Sequence, residues 1–141
     1  MSDPCVQLRG YPTLHCAAEG KLLGDDRDAV ELIGEALQVG AKLVVIPMER
    51  FESGFFDLRT CQAGGIVQKF VQYRRHLVIV GDVSRYCERS SAFTAFLVEA
   101  NRGEAIWFVR DLAELDQRLA QLEDATGAAD GERARTRPPD A

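Results

Sequence analysis

The chain predicts an α/β domain with a mixed sheet of about five strands and about four helices, in the order β-β-α-β-α-β-α-β-α. Three observations carry this. Short, continuous apolar runs recur at Leu43–Ile46, Leu77–Val80 and Ala105–Val109, as expected of strands buried on both faces. Segments with apolar residues three and four apart lie between them, the mark of helices with one buried stripe. The first two runs end on a turn-forming residue, Pro47 or Gly81. Strands alternating with helices in this way imply parallel neighbours joined by crossovers.

Taken in order, Val6–Arg9 reads as a first strand, Gly10-Tyr11-Pro12 as a turn and Thr13–Ala17 as a second strand, together a hairpin. His15 reads as a packing residue. A loop through Glu19-Gly20 to Gly24 leads to a helix capped by Asp25 or Asp26, with Asp28 adding negative charge to its first turn. Ala29, Val30, Leu32, Ile33, Ala36 and Leu37 form its apolar side, and Gly40 suits a left-handed residue just past its end. After the strand Leu43–Ile46, Pro47 removes a ladder donor and closes it. Met48–Asp57 is the longest irregular connection before the tail, and it holds Phe51, Phe55 and Phe56. Three rings there either tuck onto the core or await a partner. Burial of one ring stabilises by roughly 1.5–3 kcal/mol, which favours the tucked arrangement.

The next helix, Thr60–Arg75, presents Ala63, Ile66, Val67, Phe70 and Val71 on one stripe. Thr60 suits its N-cap, and Arg74 and Arg75 suit the negative end of its dipole. Gly64 and Gly65 each cost roughly 1 kcal/mol against alanine in a helix, a cost that close packing on a neighbour would offset. Val83–Arg89 reads as a loop. Ser90 or Ser91 caps a third helix with Phe93, Phe96, Leu97 and Ala100 inside, and Asn101-Arg102-Gly103 ends it. Asp111 and Glu114 make a capping-box pattern for a last helix whose apolar side is Leu112, Leu115, Leu119 and Leu122. From Glu123 onward large apolar residues are absent. The expected division is therefore one domain over residues 1–122 and a disordered tail over 123–141.

Composition narrows the functional classes. With 46% hydrophobic residues in 141, the chain can bury a core. A net charge of −5 argues against a general nucleic-acid surface, and Arg102 with the Arg74-Arg75 pair is too sparse to reverse that. No apolar run approaches the roughly 20 residues of a membrane span, and the first residues lack the apolar segment of a secretion signal, so the cytoplasm is the expected compartment. Cys5, Cys16, Cys61 and Cys87 form no CxxC and have no usefully placed histidine. They read as free buried thiols rather than zinc ligands, and no cofactor is expected.

The run Phe55–Asp82 and the later Glu99–Gly103 carry a family resemblance. Phe55, Phe56, Leu58, Thr60, Ala63, Gly64, Ile66, Gln68, Lys69, Phe70, Tyr73, Arg74, Gly81, Asp82, Glu99, Asn101, Arg102 and Gly103 are similar to the pattern of the domain of unknown function 4180 family of bacterial proteins. The chain departs from that pattern at Cys61, Gly65, Gln72 and Ala100, where the family has Gly, Glu, Asn and Ser. The likeness reaches to about Leu122 and implies no established activity. The missing glutamate at position 65 counts against a role for that carboxylate. The element order also resembles STAS domains, a likeness of order and not of motif residues.

In open α/β sheets, ligands collect beyond the carboxyl ends of the parallel strands. Gly24–Asp28, Phe51–Thr60 and Gly81–Tyr86 should meet there, near Arg110-Asp111, with three helix N-termini pointing the same way. The polar candidates are Asp25, Asp26, Asp57, Arg59, Thr60, Asp82, Ser84 and Arg110. One reading is a non-enzymatic regulatory module that binds an unidentified protein partner through Asp57, Arg59, Thr60, Asp82, Ser84, Phe51 and Phe55. The STAS resemblance implies that Thr60 could carry a phosphate switch; otherwise it is a cap. The alternative is a Mg²⁺-dependent phospho-accepting or phosphate-handling domain built on the aspartates. A doubly wound signalling domain of that kind would place a lysine at the end of the last strand, and none is there. No Ser-His-Asp or Cys-His arrangement and no phosphate loop is readable. The expected partners thus include neither nucleic acid nor membrane, and the sequence fixes no oligomeric state.

Overall fold

A computed structural model describes residues 5–17, 19–57, 61–103 and 105–133, with side chains from 6 to 122. Strand β1 (Cys5–Leu8) and strand β2 (Tyr11–His15) form the expected hairpin. Its turn is Arg9-Gly10, one residue earlier than the sequence indicated. Both residues have positive φ, 49° and 83°, and Leu8 pairs with Tyr11. Such a two-residue turn matches the twist of the strands it joins. Pro12 therefore stands inside β2, where its carbonyl accepts the Lys42 N–H at 2.8 Å and its missing donor precedes the parallel ladder, which starts at Thr13.

Helix α1 (Asp26–Val39) opens on a full capping box between Asp25 and Asp28 and closes on Gly40 at φ 75°. Ala29, Leu32, Ile33 and Ala36 are buried, whereas Val30 and Leu37, expected on the same stripe, are exposed on its flank. Strand β3 (Leu43–Pro47) leads into two 3₁₀ turns, Met48–Arg50 and Ser53–Phe56, so the connection expected to be irregular is partly ordered. Helix α2 (Gln62–Gln72) begins later than expected, with Cys61 at its N-cap in a left-handed conformation and no side-chain cap bond. Ala63, Ile66 and Phe70 are buried, but Val71 is 54% exposed. Neither glycine of α2 is there for close packing. A Cβ on Gly64 would meet nothing within 4 Å, and one on Gly65 would touch only the Asp26 Cβ at 3.6 Å.

Strand β4 (His76–Val80) is followed by a short helix, α3 (Ser84–Arg89), where a loop was expected. Helix α4 (Ser91–Arg102) has Ser90 as its cap, accepting from the Phe93 N–H at 3.0 Å. Strand β5 (Ile106–Val109) and helix α5 (Leu112–Arg133) complete the order. The backbone of α5 passes the domain boundary expected at Leu122. The rest of the expected tail, residues 134–141, lies outside the described residues.

The five strands stand in chain order, β1-β2-β3-β4-β5, with β1 antiparallel and the others parallel. Every crossover steps in the same direction, so α1, α2 and α4 pack on one face of the sheet. There Leu14, Val44, Ile46, Leu77, Ile79 and Phe108 meet Ile33, Ile66, Phe70 and Phe93. The residues between them point the other way. Leu43, Val45, Val78, Trp107 and Val109 pack beneath Leu115 and Leu119 of α5. Trp107 is held on three sides: its Nε1–H donates to the Gly103 carbonyl at 2.8 Å, His76 packs edge-on at 4.1 Å, and the Arg118 guanidinium lies over its ring at 4.0 Å.

Two polar groups tie the periphery to this core. Arg50 is only 8% exposed; its Nε donates to the Lys21 carbonyl and its Nη1 to the Ala17 carbonyl, each at 2.9 Å, which fixes the loop before α1. Asn101 reaches from the end of α4 to β5, where its Oδ1 accepts the Phe108 N–H at 2.7 Å. The carbonyls of Ala105 and Val109 face β4, so the Phe108 N–H points off the open edge of the sheet, and Asn101 covers it. Gly103 ends the helix where the sequence indicated, with φ −90°, an ordinary conformation rather than a left-handed one.

Candidate functional site

Strands in chain order have no point at which the order reverses, and that reversal is what opens a crevice in doubly wound sheets. The carboxyl ends of β3, β4 and β5 here form a continuous shelf instead. At its centre, β4 ends at Val80 and turns through Gly81 at φ 150°. A side chain there would run into Met48, so both the backbone angle and the contact demand glycine. Met48, Glu49, Gly81, Asp82, Ser84 and Arg85 line a cleft of about 400 Å³. On the other side of Asp82 a second hollow, about 240 Å³, reaches Asn101, Arg110 and Glu114.

Asp82 stands where the two hollows meet. Its Oδ1 accepts the Ser84 N–H at 3.0 Å. The hydrogen bonds from the Ser84 backbone and hydroxyl, then the charges of Arg110 and Arg85, hold its carboxyl below the usual range. Arg85 lies against the Tyr86 ring at 5.0 Å, and the Arg110 N–H donates to Glu114 Oε1 at 2.7 Å. The face thus presents an ionised carboxylate between two exposed guanidinium groups, with Glu49 beside them.

The structure brings together Asp82, Ser84 and Arg110 of the residues singled out from sequence. The others go elsewhere. Phe51 and Phe55 are core residues, with Phe55 fully buried. Phe51 packs on Phe55 at 4.4 Å, Phe55 on Phe56 at 5.1 Å, and Phe56 stacks on Tyr86 at 4.4 Å. The rings are tucked, the arrangement that burial favours, so Phe51 and Phe55 do not face a partner as the binding-module reading had them; they support α3 from below. Asp57 follows the second 3₁₀ turn and is half-buried. Arg59 and Thr60 lie outside the described residues, and the N-cap position expected for Thr60 is Cys61.

Asp25 and Asp26 do not join Asp82 in a metal-binding group. The Asp25 Oδ1 accepts the Asp28 N–H at 3.1 Å, while Asp28 Oδ2 accepts from Gly24 at 2.8 Å and Asp28 Oδ1 pairs with Lys21 at 3.0 Å. Those bonds, led by the one from Gly24, hold Asp28 below its usual pKa and occupy it as a cap. Among the described residues no three His, Cys, Asp or Glu side chains converge. Of the described thiols Cys16 is buried, Cys87 is half-buried and Cys61 is exposed; the last differs from the buried state expected of all of them. No helix of the described residues is long and apolar enough to cross a membrane.

Glu49 and Arg85 were missed from sequence. Glu49 enters because β3 and β4 are neighbours, and Arg85 because Ser84–Arg89 is helical. No local signal marks the first; the second was legible in principle from Asp82, whose carboxylate caps the start of that turn.

Fold and site together define a small mixed α/β domain with a single sheet wound in one direction and a charged, open shelf at its carboxyl end. Residues 9–119 match the model of a domain of unknown function (DUF4180), and the chain belongs to that family. No curated protein and no solved structure matches it.

Proposed function

We propose that this chain is a non-enzymatic regulatory module that binds another protein through the shelf at Asp82. The observation that supports it is the pair of adjoining hollows bordered by Glu49, Asp82, Arg85 and Arg110. Charges of both signs stand there side by side, the kind of pattern that selects a partner and its register. A carboxylate kept ionised by a backbone N–H and two arginines is a poor proton acceptor near neutrality, which weighs against acid–base chemistry at this point.

The test is affinity capture from the source cells with the wild-type chain and with Arg85→Glu plus Arg110→Glu. Both side chains are exposed, so the variant should keep its melting temperature. A protein retained by the wild type and lost by the charge-reversed variant, with retention that falls as salt rises, is the expected result. Recovery of the same proteins by both would refute the assignment of this face.

A further inference from the structure

At the opposite end of the strands lies a hollow of about 370 Å³ that the protein-binding reading does not use and on which it does not depend. Its floor is Leu43, Phe70, Val71, Leu119 and Leu122, contributed by β3, α2 and α5. Lys42 and Arg74, both exposed, stand at its mouth, and Arg75 is half-buried beside them. Among the described residues that line it there are three cationic side chains and no carboxylate, in a chain whose net charge is −5.

Two features go beyond a basic patch. Among the described residues the Nε of Arg75 is buried without a hydrogen-bond acceptor, while its Nη1 donates to the neighbouring Arg74 carbonyl at 3.0 Å. The Nε2 of His76, which also lines the hollow, is likewise buried and unpartnered. A helix dipole accounts for cations at the end of α2, but not for a cationic N–H taken out of water with nothing to receive it. The turn that places these arginines is also held at a cost. The Arg75 N–H donates to the Phe70 carbonyl at 2.9 Å and the Arg74 N–H to the Val71 carbonyl at 3.1 Å, a helix ending that puts Arg74 at φ 57°. That position ordinarily takes glycine.

We propose that this hollow binds a small amphiphilic carboxylate, its apolar body against Phe70, Val71 and Leu119 and its head on Arg75, with Arg74 and Lys42 alongside. The guanidinium fork suits a carboxylate, and the apolar floor supplies the contact area that a bare anion would not use.

The test titrates the full chain with octanoate below its micellar concentration, with octanol as the tail without the charge and acetate as the charge without the tail. Binding is read from the thermal midpoint and from the fluorescence of Trp107, the only tryptophan, which packs on His76. Octanoate should bind about tenfold or more tightly than either control, as one charge-assisted contact implies. Arg75→Gln should remove that advantage and leave octanol binding unchanged. Arg74→Gly should weaken octanoate without lowering the thermal midpoint of the free protein, since it relieves a left-handed arginine. Equal binding of octanoate and octanol, equal binding of octanoate and acetate, no binding of octanoate, or octanoate affinity untouched by both substitutions would each overturn the proposal.

Discussion

Replacing Asn101 by alanine tests the link between α4 and the sheet edge. The side chain accepts the Phe108 N–H at 2.7 Å, and Phe108 is 6% exposed, so its N–H would be left without a partner and largely out of water. Such a loss costs about 1–3 kcal/mol. At roughly 4 °C per kcal/mol for a domain of this size, the melting temperature should fall by about 4–12 °C. The other anchor at this residue, from Arg118 Nη2 to the Asn101 carbonyl at 2.7 Å, is to the backbone and survives the substitution. Asn101→Asp keeps an acceptor in place and should recover at least half of the loss. Urea unfolding followed by Trp107 fluorescence gives the free energies, and hydrogen exchange at Phe108 reports the edge directly. If Asn101→Ala costs less than about 0.5 kcal/mol, or if the aspartate variant is no better than the alanine one, the edge is protected by something other than this contact.

The remaining predictions concern pH, helix propensity and the shelf. Burial, reinforced by the charge of Arg118, lowers His76 from 6.5 to about 4. Between those values the unfolded chain binds the extra proton, so stability should fall as pH drops, by roughly 1.4 kcal/mol per unit. His76→Gln should flatten the difference in unfolding free energy between pH 7 and pH 5 relative to wild type, and parallel profiles would refute the assignment. Gly64→Ala should stabilise the protein by about 0.5–1 kcal/mol in the same urea assay, because α2 gains a better helix former and the added Cβ meets nothing within 4 Å; a loss would mean that the site is crowded. Arg85→Glu with Arg110→Glu should leave the melting temperature unchanged while abolishing partner capture.

The alternation of strands and helices was legible because β3, β4 and β5 are buried on both faces, and such strands read as unbroken apolar runs. The caps at Asp25, Ser90 and Asp111 were legible because their partners lie within three residues. The width of a helix stripe was not. Val30, Leu37 and Val71 obey the helical period but stand on flanks that no neighbour covers, and apolar side chains tolerate such exposure. Helix α3 escaped notice because it buries no residue fully and contributes mainly the Tyr86 ring. Of the shelf, Asp82 and Ser84 were readable as near neighbours in a turn, while Glu49 joins them only through strand pairing. Phe51 and Phe55 supported two readings, tucked and partner-contacting, because an aromatic-rich connection looks the same whether its rings face inward or outward; burial energy favoured the tucked one, which the fold has. The hollow beside Arg75 could not be read at all, since its walls come from β3, α2, β4 and α5, which only the packed sheet brings together.

The strand order also bears on how the chain is made. Each parallel strand pairs with the one synthesised just before it, so a growing chain can add one β-α unit at a time without waiting for a distant segment. The opposite face follows a different schedule. Val45, Val78 and Trp107 are complete once β5 has emerged, yet Leu115 and Leu119 arrive only with α5. A nascent chain that stalls before residue 112 therefore carries a finished sheet with one bare apolar side, the kind of surface that chaperones and proteases survey. Docking of the last helix is the step that takes the newborn protein out of their reach.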